Sequence, residues 1–245
     1  MKFSGNKALL LGGSCDLAIT LARRMIEAGL SPILTYRNEK GRKYISKNLK
    51  DCPKKYSSFY LEFGNRDSID LLLHQTGDDI DFVVDFAQGN FESLVAAADA
   101  DRVYSYFAEN VSFRAEVLKK IARIMMKKKS GRFVFISSSA AKRQNPGQGF
   151  YAAAKLASEA IYKNLGLELG NHGITTVTLR PGYIDSGRGK KFIQDHVKKV
   201  IDKVPIKKAL TKKEVAEAIL FYLSNSATGF NATEISMDGG LTAGK

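Results

Sequence analysis

The sequence has few of the residues that build metal centres or disulfide frameworks. It contains two cysteines, Cys15 and Cys52, and three histidines among 245 residues. Two cysteines are too few for a disulfide framework or a thiolate metal site, and no two histidines have the spacing of a ligand pair. We therefore expect no bound metal and no fold held by disulfides.

Long hydrophobic runs, repeats and low-complexity linkers are also missing. The apolar run Ala8-Leu9-Leu10-Leu11 ends in Gly12-Gly13, far short of a membrane span, and no small-residue cleavage site follows it as in a signal peptide. With 44% apolar residues the chain can bury a substantial core, and its length suits one large α/β domain. The expectation is a cytoplasmic protein with a single domain over residues 1–245 and no membrane contact.

Negative charge is scarce relative to positive charge, and the balance is uneven. The formal net charge is +13, and the segment from Arg188 to Lys213 holds ten Lys or Arg against Asp195 and Asp202. A second basic cluster comprises Lys119, Lys120, Arg123, Lys127, Lys128, Lys129 and Arg132, whereas Glu62 to Asp101 is acidic. Clustered charge of this kind can attract an anionic partner, but a solvated lysine-rich surface is the favoured explanation. A nucleic-acid partner is not expected, because no binding motif accompanies the charge.

Short apolar runs alternate with longer helical patterns, which is typical of βαβ units and a parallel sheet. The predicted strands are Lys7–Leu11, Ser31–Thr35, Ser58–Glu62, Phe82–Phe86, Arg132–Ser137, Thr175–Arg180 and Glu234–Met237. Helical spacing from Leu17 to Ile26 predicts a first helix that Gly29 ends. Further helices are predicted over Val103–Lys128, Tyr151–Leu169 and Lys212–Ser224. The pattern predicts an α/β fold, a doubly wound Rossmann-type domain with a seven-stranded parallel sheet flanked by helices.

A glycine-containing turn joins the first predicted strand to the first helix. It has the sequence Gly12-Gly13-Ser14-Cys15-Asp16-Leu17-Ala18. Free N–H groups and the dipole of a helix N-terminus favour an anion such as a dinucleotide phosphate, and glycine permits close backbone approach. The turn by itself indicates a phosphate site only weakly, because any βα turn can carry two glycines.

Further motifs follow in order along the chain. They are Asn110 in Glu109-Asn110-Val111, Ser138 after Gly131–Ser137, Tyr151-Ala152-Ala153-Ala154-Lys155, Pro181-Gly182-Tyr183-Ile184-Asp185-Ser186 and Asp238-Gly239-Gly240. With these motifs the sequence resembles the short-chain dehydrogenase/reductase family over essentially its full length. Within that family it looks most like the 3-oxoacyl-acyl-carrier-protein reductases.

The departures from the family pattern lie around the cofactor. Leu11, Asp16 and Ala18 occupy the Thr, second Gly and third Gly places of the family's Thr-Gly-x-x-x-Gly-x-Gly loop. A carboxylate at Asp16 repels pyrophosphate unless it points away, and an early helix residue of this type can instead cap the helix. The family's Asn-Asn-Ala-Gly is replaced by Asp85-Phe86-Ala87-Gln88, which puts the geometry of that strand end in question.

The pair Tyr151 and Lys155 has the spacing that acid–base chemistry needs. Residues four apart on a helix lie on the same face, so the ammonium group approaches the phenol. A free tyrosine has a pKa near 10, and an opposite charge within ~4–6 Å favours the phenolate by roughly 1–3 pKa units. The resemblance implies that Tyr151 donates the proton to a ketone, that Ser138 binds its carbonyl oxygen, and that Asn110 supports a water linking Lys155 to solvent.

The resemblance also implies a nicotinamide cofactor, with NADP(H) favoured over NAD. An acidic residue after the second strand favours NAD, whereas Arg37 stands there and suits a 2′-phosphate. The predicted cofactor-binding residues are Gly12, Ser14, Cys15, Leu17, Arg37, Glu62, Phe63, Ala87, Tyr151, Lys155, Ile184 and Ser186. The predicted substrate-binding residues are Ser138, Gln148 and Tyr183, and a lid is predicted over residues 187–204.

The predicted reaction is the NADPH-dependent reduction of a ketone, with a 3-oxoacyl thioester on acyl carrier protein as the first substrate candidate. The carrier is acidic, and the cluster Lys127-Lys128-Lys129 with Arg132 predicts a basic rim beside the pocket for it. The alternatives are a reductase of a free small-molecule ketone and a non-catalytic dinucleotide-binding protein. By resemblance, a homotetramer or homodimer forms through the helices Val103–Lys128 and Tyr151–Leu169.

Overall fold

The computed structural model describes residues 1–187 and 201–243. Residues 188–200 of the predicted lid at 187–204, and with them half of the basic segment from Arg188 to Lys213, lie outside the described residues. Among the described residues, no helix combines the length and the apolar character that crossing a membrane requires.

The described residues form one seven-stranded sheet, and the strands pair in the order β3-β2-β1-β4-β5-β6-β7, all parallel. The strands are β1 Lys7–Leu11, β2 Ser31–Tyr36, β3 Ser57–Tyr60, β4 Phe82–Asp85, β5 Gly131–Ile136, β6 Ile174–Pro181 and β7 Thr233–Met237. The seven predicted strands are confirmed with shifts of one or two residues at their ends. The predicted doubly wound parallel sheet is also confirmed.

The helices are α1 Asp16–Glu27, α2 Glu39–Asn48, α3 Arg66–Thr76, α4 Ala100–Phe107, α5 Phe113–Lys128, α6 Gly149–Leu169 and α7 Lys212–Leu223. The sequence analysis did not predict α2 and α3, whose exposed faces are rich in charge. The predicted continuous helix Val103–Lys128 is wrong in one respect: a π-helical turn, Ala108–Ser112, separates α4 from α5. Gly29 follows α1 with φ of 81°, in the left-handed region that the predicted C-terminal glycine requires.

The core consists of two layers, one on each face of the sheet. Successive strand residues point to opposite faces, so Leu10 faces α1, α2 and α7 while Leu9 faces α3, α5 and α6. Because both faces are covered, the central strands β1, β4 and β5 are mostly apolar and their side chains are almost fully buried, whereas the edge strands β3 and β7 are only partly buried. A sheet covered in this way leaves its carboxyl edge free to carry the loops.

The strand order reverses between β1 and β4, and the carboxyl ends of these two strands meet there. In open α/β sheets a ligand crevice forms at such a switch point. Gly12 directly follows β1 and Phe86 follows β4, with the Phe86 N–H donating to the Leu11 carbonyl at 2.9 Å. The topology therefore brings the glycine turn and the Asp85–Gln88 segment to one place.

The predicted basic rim beside the pocket is wrong, because the cluster lies at the opposite edge of the sheet. Lys129 directly follows α5, and Arg132 lies at the amino end of β5, one strand length away from Ser138, which follows its carboxyl end. Lys128 forms ion pairs with Asp79 and Asp81. The Arg132 guanidinium donates to the carbonyl oxygens of Tyr222 and Ser224. These cations stabilise the amino edge and are not placed to receive a partner at the crevice.

Candidate active site

A cavity of about 390 Å³ opens at the carboxyl edge of the sheet. The predicted site residues that line it are Cys15, Leu17, Ser138, Gln148, Tyr151, Lys155, Tyr183, Ile184 and Ser186. They come from the glycine turn, the end of β5, the start of α6 and the loop after β6. The tertiary structure thus brings four segments that are distant in sequence to one cavity.

Tyr151 and Lys155 lie in the first turns of α6, on the face that borders the cavity. The Lys155 Nζ lies 6.0 Å from the centroid of the Tyr151 ring and donates a hydrogen bond of 2.7 Å to the Ile136 carbonyl. Only 2% of Lys155 is exposed, and its Nζ is 4.7 Å from the centroid of the Phe135 ring. These contacts fix the position of the Lys155 Nζ beside the Tyr151 ring.

Ser138 follows β5 and lines the same cavity. Its Oγ accepts a hydrogen bond of 3.1 Å from the Ala140 N–H and so begins a short 3₁₀ turn, Ser139–Ala141. The neighbouring Ser137 also lines the cavity, and its Oγ donates to Glu159 Oε1 at 2.5 Å. Glu159 also accepts two hydrogen bonds from Arg180, at 2.9 and 2.5 Å. This ion pair joins α6 to β5 and β6 directly below the cavity.

Seven predicted site residues do not line this cavity: Gly12, Ser14, Arg37, Glu62, Phe63, Ala87 and Asn110. Glu62 and Phe63 follow β3 and lie beside α3 and α5, where Glu62 accepts from the Tyr60 hydroxyl and Phe63 packs on the core. Arg37 is exposed just after β2.

The glycine turn can accept a dinucleotide phosphate. Gly12 has φ of 72°, and a Cβ there would lie 2.8 Å from the Ala87 nitrogen. At Gly13 a Cβ would lie 2.9 Å from the Leu34 Cα. Both glycines are therefore required by close backbone approach, and the two replaced glycines of the family loop are not needed for it. Cys15 and Leu17, at the start of α1, line the main cavity, so the N-terminus of this helix borders it, which fits a pyrophosphate.

Asp16 is not the helix cap that the sequence analysis considered. Cys15 is the N-cap, and its Sγ accepts from the Ala18 N–H at 3.5 Å. The Asp16 carboxylate accepts hydrogen bonds from the Tyr44 hydroxyl and, at 3.0 Å, from Ser186 Oγ. The Tyr44 hydroxyl holds the pKa of Asp16 below its usual value, and the same bond raises the pKa of Tyr44 to about 12. The carboxylate is thus engaged by α2 and by the loop after β6.

A second cavity of about 410 Å³ lies between the glycine turn and α2. Its lining residues are Ser14, Asn38, Lys40, Gly41, Lys43, Tyr44 and Lys47. The three lysines follow helical spacing along one face of α2, close to the exposed Arg37. The sequence analysis missed them because it did not predict α2, although the spacing of the lysines is visible in the sequence.

Asn110 lies at the centre of the π-helical turn, and only 3% of it is exposed. Its Oδ1 accepts from the Gly89 N–H at 2.7 Å and its Nδ2 donates to the Tyr106 carbonyl at 2.8 Å. The side chain therefore holds the segment that follows β4. π-Helical turns are rare and often occur at functional sites.

Asp85 replaces the first asparagine of the family's strand-end motif and is completely buried. It accepts hydrogen bonds from the Ala87 N–H at 2.9 Å, from Arg114 Nε at 2.8 Å and from the Tyr162 hydroxyl at 2.9 Å. Burial, with Asp85 beside it, raises the pKa of Tyr162 well above its ordinary value, so this hydroxyl remains a donor. Three hydrogen-bond donors compensate for the burial of this carboxylate. Asp85 therefore fixes the geometry of the strand end that the sequence analysis had put in question.

The main cavity is also lined by two exposed cations, Arg143 and Lys203. The sequence analysis did not single out either of them. Arg143 Nη1 donates to the Leu241 carbonyl at 3.3 Å, and Leu241 also lines the cavity. The carboxylate of Asp238 fixes this tail by accepting from the Gly240 and Thr242 N–H groups at 3.0 and 3.1 Å. The terminal motif Asp238-Gly239-Gly240 therefore shapes one wall of the cavity.

Comparisons with known proteins agree with this geometry. A family model described as enoyl-(acyl carrier protein) reductase matches residues 15–242. The 3-oxoacyl-acyl-carrier-protein reductase FabG of Haemophilus influenzae is 28% identical over 240 residues, covering 97% of this chain and 98% of the relative. FabG of Buchnera aphidicola subsp. Schizaphis graminum is 29% identical over 244 residues, with coverage of 98% and 99%.

Solved structures show the same fold. A short-chain type dehydrogenase/reductase from Mycobacterium ulcerans superposes with a TM-score of 0.90 at 23% identity, over 99% of this chain and 92% of that one. A second structure, a short chain dehydrogenase/reductase family protein, covers both chains fully with a TM-score of 0.88 at 24% identity. With the matched family model, the chain belongs to the short-chain dehydrogenase/reductase family, whose members are oxidoreductases that use a nicotinamide dinucleotide.

Proposed function

We propose that this protein reduces a ketone to a secondary alcohol with NADPH, and that its substrate is a 3-oxoacyl thioester carried on acyl carrier protein. The observation that carries the proposal is the meeting of Ser138, Tyr151 and Lys155 in one cavity, from two different elements. Reduced nicotinamide, when bound, supplies the hydride. The protein must then supply a proton and stabilise the charge that develops on the carbonyl oxygen.

Tyr151 is the proposed proton donor and Lys155 the group that tunes it. A tyrosine with an ordinary pKa near ~10 is a weak acid at neutral pH, and a nearby ammonium lowers that pKa. Lys155 Nζ is held by the Ile136 carbonyl and by the Phe135 ring, so one side-chain conformation places the ammonium group beside the phenol. Lys155 also serves as the proposed contact to the nicotinamide ribose.

Ser138 is the proposed hydrogen-bond donor to the substrate carbonyl, with Gln148 and Tyr183 as further substrate contacts. All three line the cavity with Tyr151. A donor placed in advance where negative charge develops lowers the barrier of the reduction. Asn110 is proposed to support proton resupply by holding Gly89 and the strand end in place, since its side chain bonds there.

The proposed cofactor residues fall into three groups. Gly12, Cys15 and Leu17 present the start of α1 to the pyrophosphate, and Ile184 and Ser186 border the nicotinamide end. Ser14 lies with Lys40, Lys43 and Lys47 around the second cavity, next to Arg37. Positive charge at the end of β2 favours the 2′-phosphate of NADPH over the bare ribose of NADH. Glu62, Phe63 and Ala87 remain proposed contacts near the adenine and ribose.

The proposed carrier-bound substrate rests on the relatives, whose printed names specify 3-oxoacyl groups on acyl carrier protein. The cations Arg143 and Lys203 at the cavity support it, because they suit an anionic arm such as a phosphate ester. They replace the cluster Lys127–Lys129 as the proposed contact. A free ketone that carries a carboxylate or phosphate would use the same two cations.

The test is steady-state turnover with acetoacetyl-carrier protein, a neutral free ketone, a free keto acid and an enoyl thioester, each with NADPH. We expect the carrier-bound 3-oxo substrate to give the highest kcat/KM and Tyr151→Phe to lose roughly 10²–10⁴-fold in rate. Arg143→Ala should raise KM for the anionic substrates only, with Lys129→Ala, at the other edge of the sheet, as the matched control. Equal turnover of wild type and Tyr151→Phe would contradict the mechanism, and preference for the enoyl thioester would contradict the reaction.

Coenzyme preference has its own test. We expect Arg37→Ala combined with Lys40→Ala to raise KM for NADPH at least tenfold and to leave KM for NADH unchanged. The reason is that both cations border the proposed 2′-phosphate position and neither contacts the bare ribose in this proposal. Lys54→Ala removes a lysine in the turn before β3 and serves as the control. An unchanged ratio of the two coenzyme KM values would contradict the assignment of NADPH.

We propose further that the chain forms a homotetramer or homodimer through its long helices. Leu156 and Leu167 lie on one face of α6, three turns apart, and are 40% and 65% exposed. Exposed leucines aligned on a helix suit a subunit contact. Light scattering on wild type and on Leu167→Glu checks this: the variant should dissociate while its fold, by circular dichroism, is unchanged.

A further inference from the structure

Arg114 is the largest completely buried side chain among residues 1–187 and 201–243, and the proposed mechanism does not use it. It is the second residue of α5, just after the π-helical turn. Its Nε donates to Asp85, and both side chains are 0% exposed. Burying a guanidinium is costly unless it is paired and its N–H groups are satisfied, so the use of each remaining donor is informative.

The remaining donors of Arg114 bind two main-chain carbonyls and one hydroxyl. Nη2 donates to the Ala87 carbonyl, just after β4, and Nη1 donates to the Asn110 carbonyl in the π-helical turn. Nη1 also donates to Ser158 Oγ at 2.9 Å. One planar group therefore fixes the distance between the strand end, the π-helical turn and α6.

Each of these contacts leads to a residue of the proposed site. The segment from Ala87 to Gly89 is held at one end by Arg114 and at the other by Asn110, and the Gln88 side chain between them lines the cavity. Ser158 Oγ donates to the Ala154 carbonyl at 2.8 Å, immediately before Lys155.

The aromatic ring below the cavity contacts both cations. The centroid of the Phe135 ring lies 5.2 Å from Arg114 Cζ and 4.7 Å from Lys155 Nζ. Asp85 cancels the charge of Arg114, so that the guanidinium can hold the backbone without adding an unpaired cation beside the Tyr151–Lys155 pair.

We propose that Arg114, neutralised by Asp85, is a positioning residue for the reaction: it fixes the Ala87–Gly89 segment and the start of α6 relative to each other. The inference rests on the proposed function only in its expected effect on kcat and KM. It also explains why Asp85 stands where the family pattern has asparagine, since the carboxylate is the counter-ion of a buried guanidinium.

The test uses Arg114→Lys, which retains a positive charge for Asp85 but lacks the planar fork that reaches two carbonyls at once. Tyr162→Phe is the matched control, because it removes a buried hydrogen bond to the same Asp85 oxygen and touches neither carbonyl. If Arg114→Lys does not fold, the double variant Asp85→Asn with Arg114→Met, which removes both charges together, is measured in its place. The measurements are the thermal midpoint, the NADPH dissociation constant by fluorescence, and kcat and KM for the best ketone.

We expect Arg114→Lys to lower kcat by roughly ten- to a hundredfold and to weaken NADPH binding severalfold, because small misplacements of reacting groups cost rate steeply. Tyr162→Phe should lower the thermal midpoint and change kcat by less than about twofold. Wild-type kcat and NADPH affinity in Arg114→Lys would overturn the proposal, as would equal losses in Tyr162→Phe. If wild type turns over no ketone, the proposed function fails, while the NADPH dissociation constant still tests the positioning role.

Discussion

The two sides of the crevice are built by different physical means. On the side of α6, buried ion pairs fix the backbone: Asp85 with Arg114, and Glu159 with Arg180. On the side of the glycine turn, close packing fixes it: Gly12 lies against Ala87 and Gly13 against β2. The charged groups that hold the turn, such as Asp16, lie nearer the surface.

This difference shows why the motifs of the two sides tolerate change differently. The side of α6 retains Asn110, Ser138, Tyr151 and Lys155 of the family pattern, although Asp85 replaces an asparagine there. In the proposed mechanism these four side chains each supply a particular atom, which few other residue types could do. The phosphate side needs backbone N–H groups and space, which many residues can supply. Asp16 and Ala18 are therefore compatible with cofactor binding as long as Gly12 and Gly13 remain.

The largest expected effect on the free energy of unfolding comes from breaking the buried ion pair on the side of α6. Arg114→Met leaves Asp85 buried without its counter-ion, and breaking such a pair costs about 3–5 kcal/mol in the free energy of unfolding. Arg23→Met removes an exposed arginine that pairs with Asp51, and should cost about 1 kcal/mol or less. Urea unfolding of both variants measures the difference. Similar losses in the two variants would mean that the buried network contributes no more than a surface pair.

The next effect concerns the packed side. Gly12→Ala places a Cβ at 2.8 Å from the Ala87 nitrogen in a left-handed conformation, and we expect a cost of roughly 2–4 kcal/mol with loss of NADPH binding. Gly29→Ala is the control, because Gly29 has φ of 81° and no atom within 4 Å of its would-be Cβ. It should cost only the conformational penalty of about 1–2 kcal/mol. Unfolding by urea and a fluorescence titration with NADPH distinguish the two variants.

The smallest expected effect tests the surface contact of the phosphate side. Tyr44→Phe removes the donor that lowers the pKa of Asp16, and at neutral pH it should cost about 0.5–1.5 kcal/mol. The lowered pKa of Asp16 stabilises the fold above the unfolded value near 3.8, and this contribution disappears as pH falls through the folded pKa. The raised pKa of Tyr44, about 12, gives a contribution that is complete below pH 10 and is lost as pH rises through 12.

The measurement for Tyr44→Phe is the difference in urea midpoint from wild type across pH. We expect a plateau between about pH 5 and pH 9, and convergence of the two proteins toward either extreme. A difference that is constant over the whole range would mean that the hydroxyl acts through packing and not through its bond to Asp16.

Much of the architecture was predictable because local pattern and burial agree. The apolar strands, the glycine turn and the helix of Tyr151 each carry a local signal, and their order implies the parallel sheet. Helices α2 and α3 were missed because their burial depends on few apolar residues, among them Ile45 and Leu72. The π-helical turn was missed because an extra residue in a helix leaves little trace in hydrophobic spacing.

Contacts between distant segments were not predictable in the same way. The basic cluster from Lys127 to Arg132 precedes the strand of Ser138 in sequence, yet it lies at the other edge of the sheet because β5 separates them. Asp16 is a helix-starting acid by sequence, and its partners Tyr44 and Ser186 are known only once α2 and the loop after β6 have folded against it.

The sequence by itself determined which residues the proposed chemistry uses: a tyrosine and a lysine four residues apart, a serine at a strand end and two glycines at a βα turn. These are local requirements, and local spacing reveals them. Only the tertiary structure decided how the site is held. Asp85 and Arg114 are 29 positions apart and each would be costly to bury alone. Their pairing depends on the meeting of β4, α5 and α6, because a buried charge is stable only where the whole fold supplies its partners.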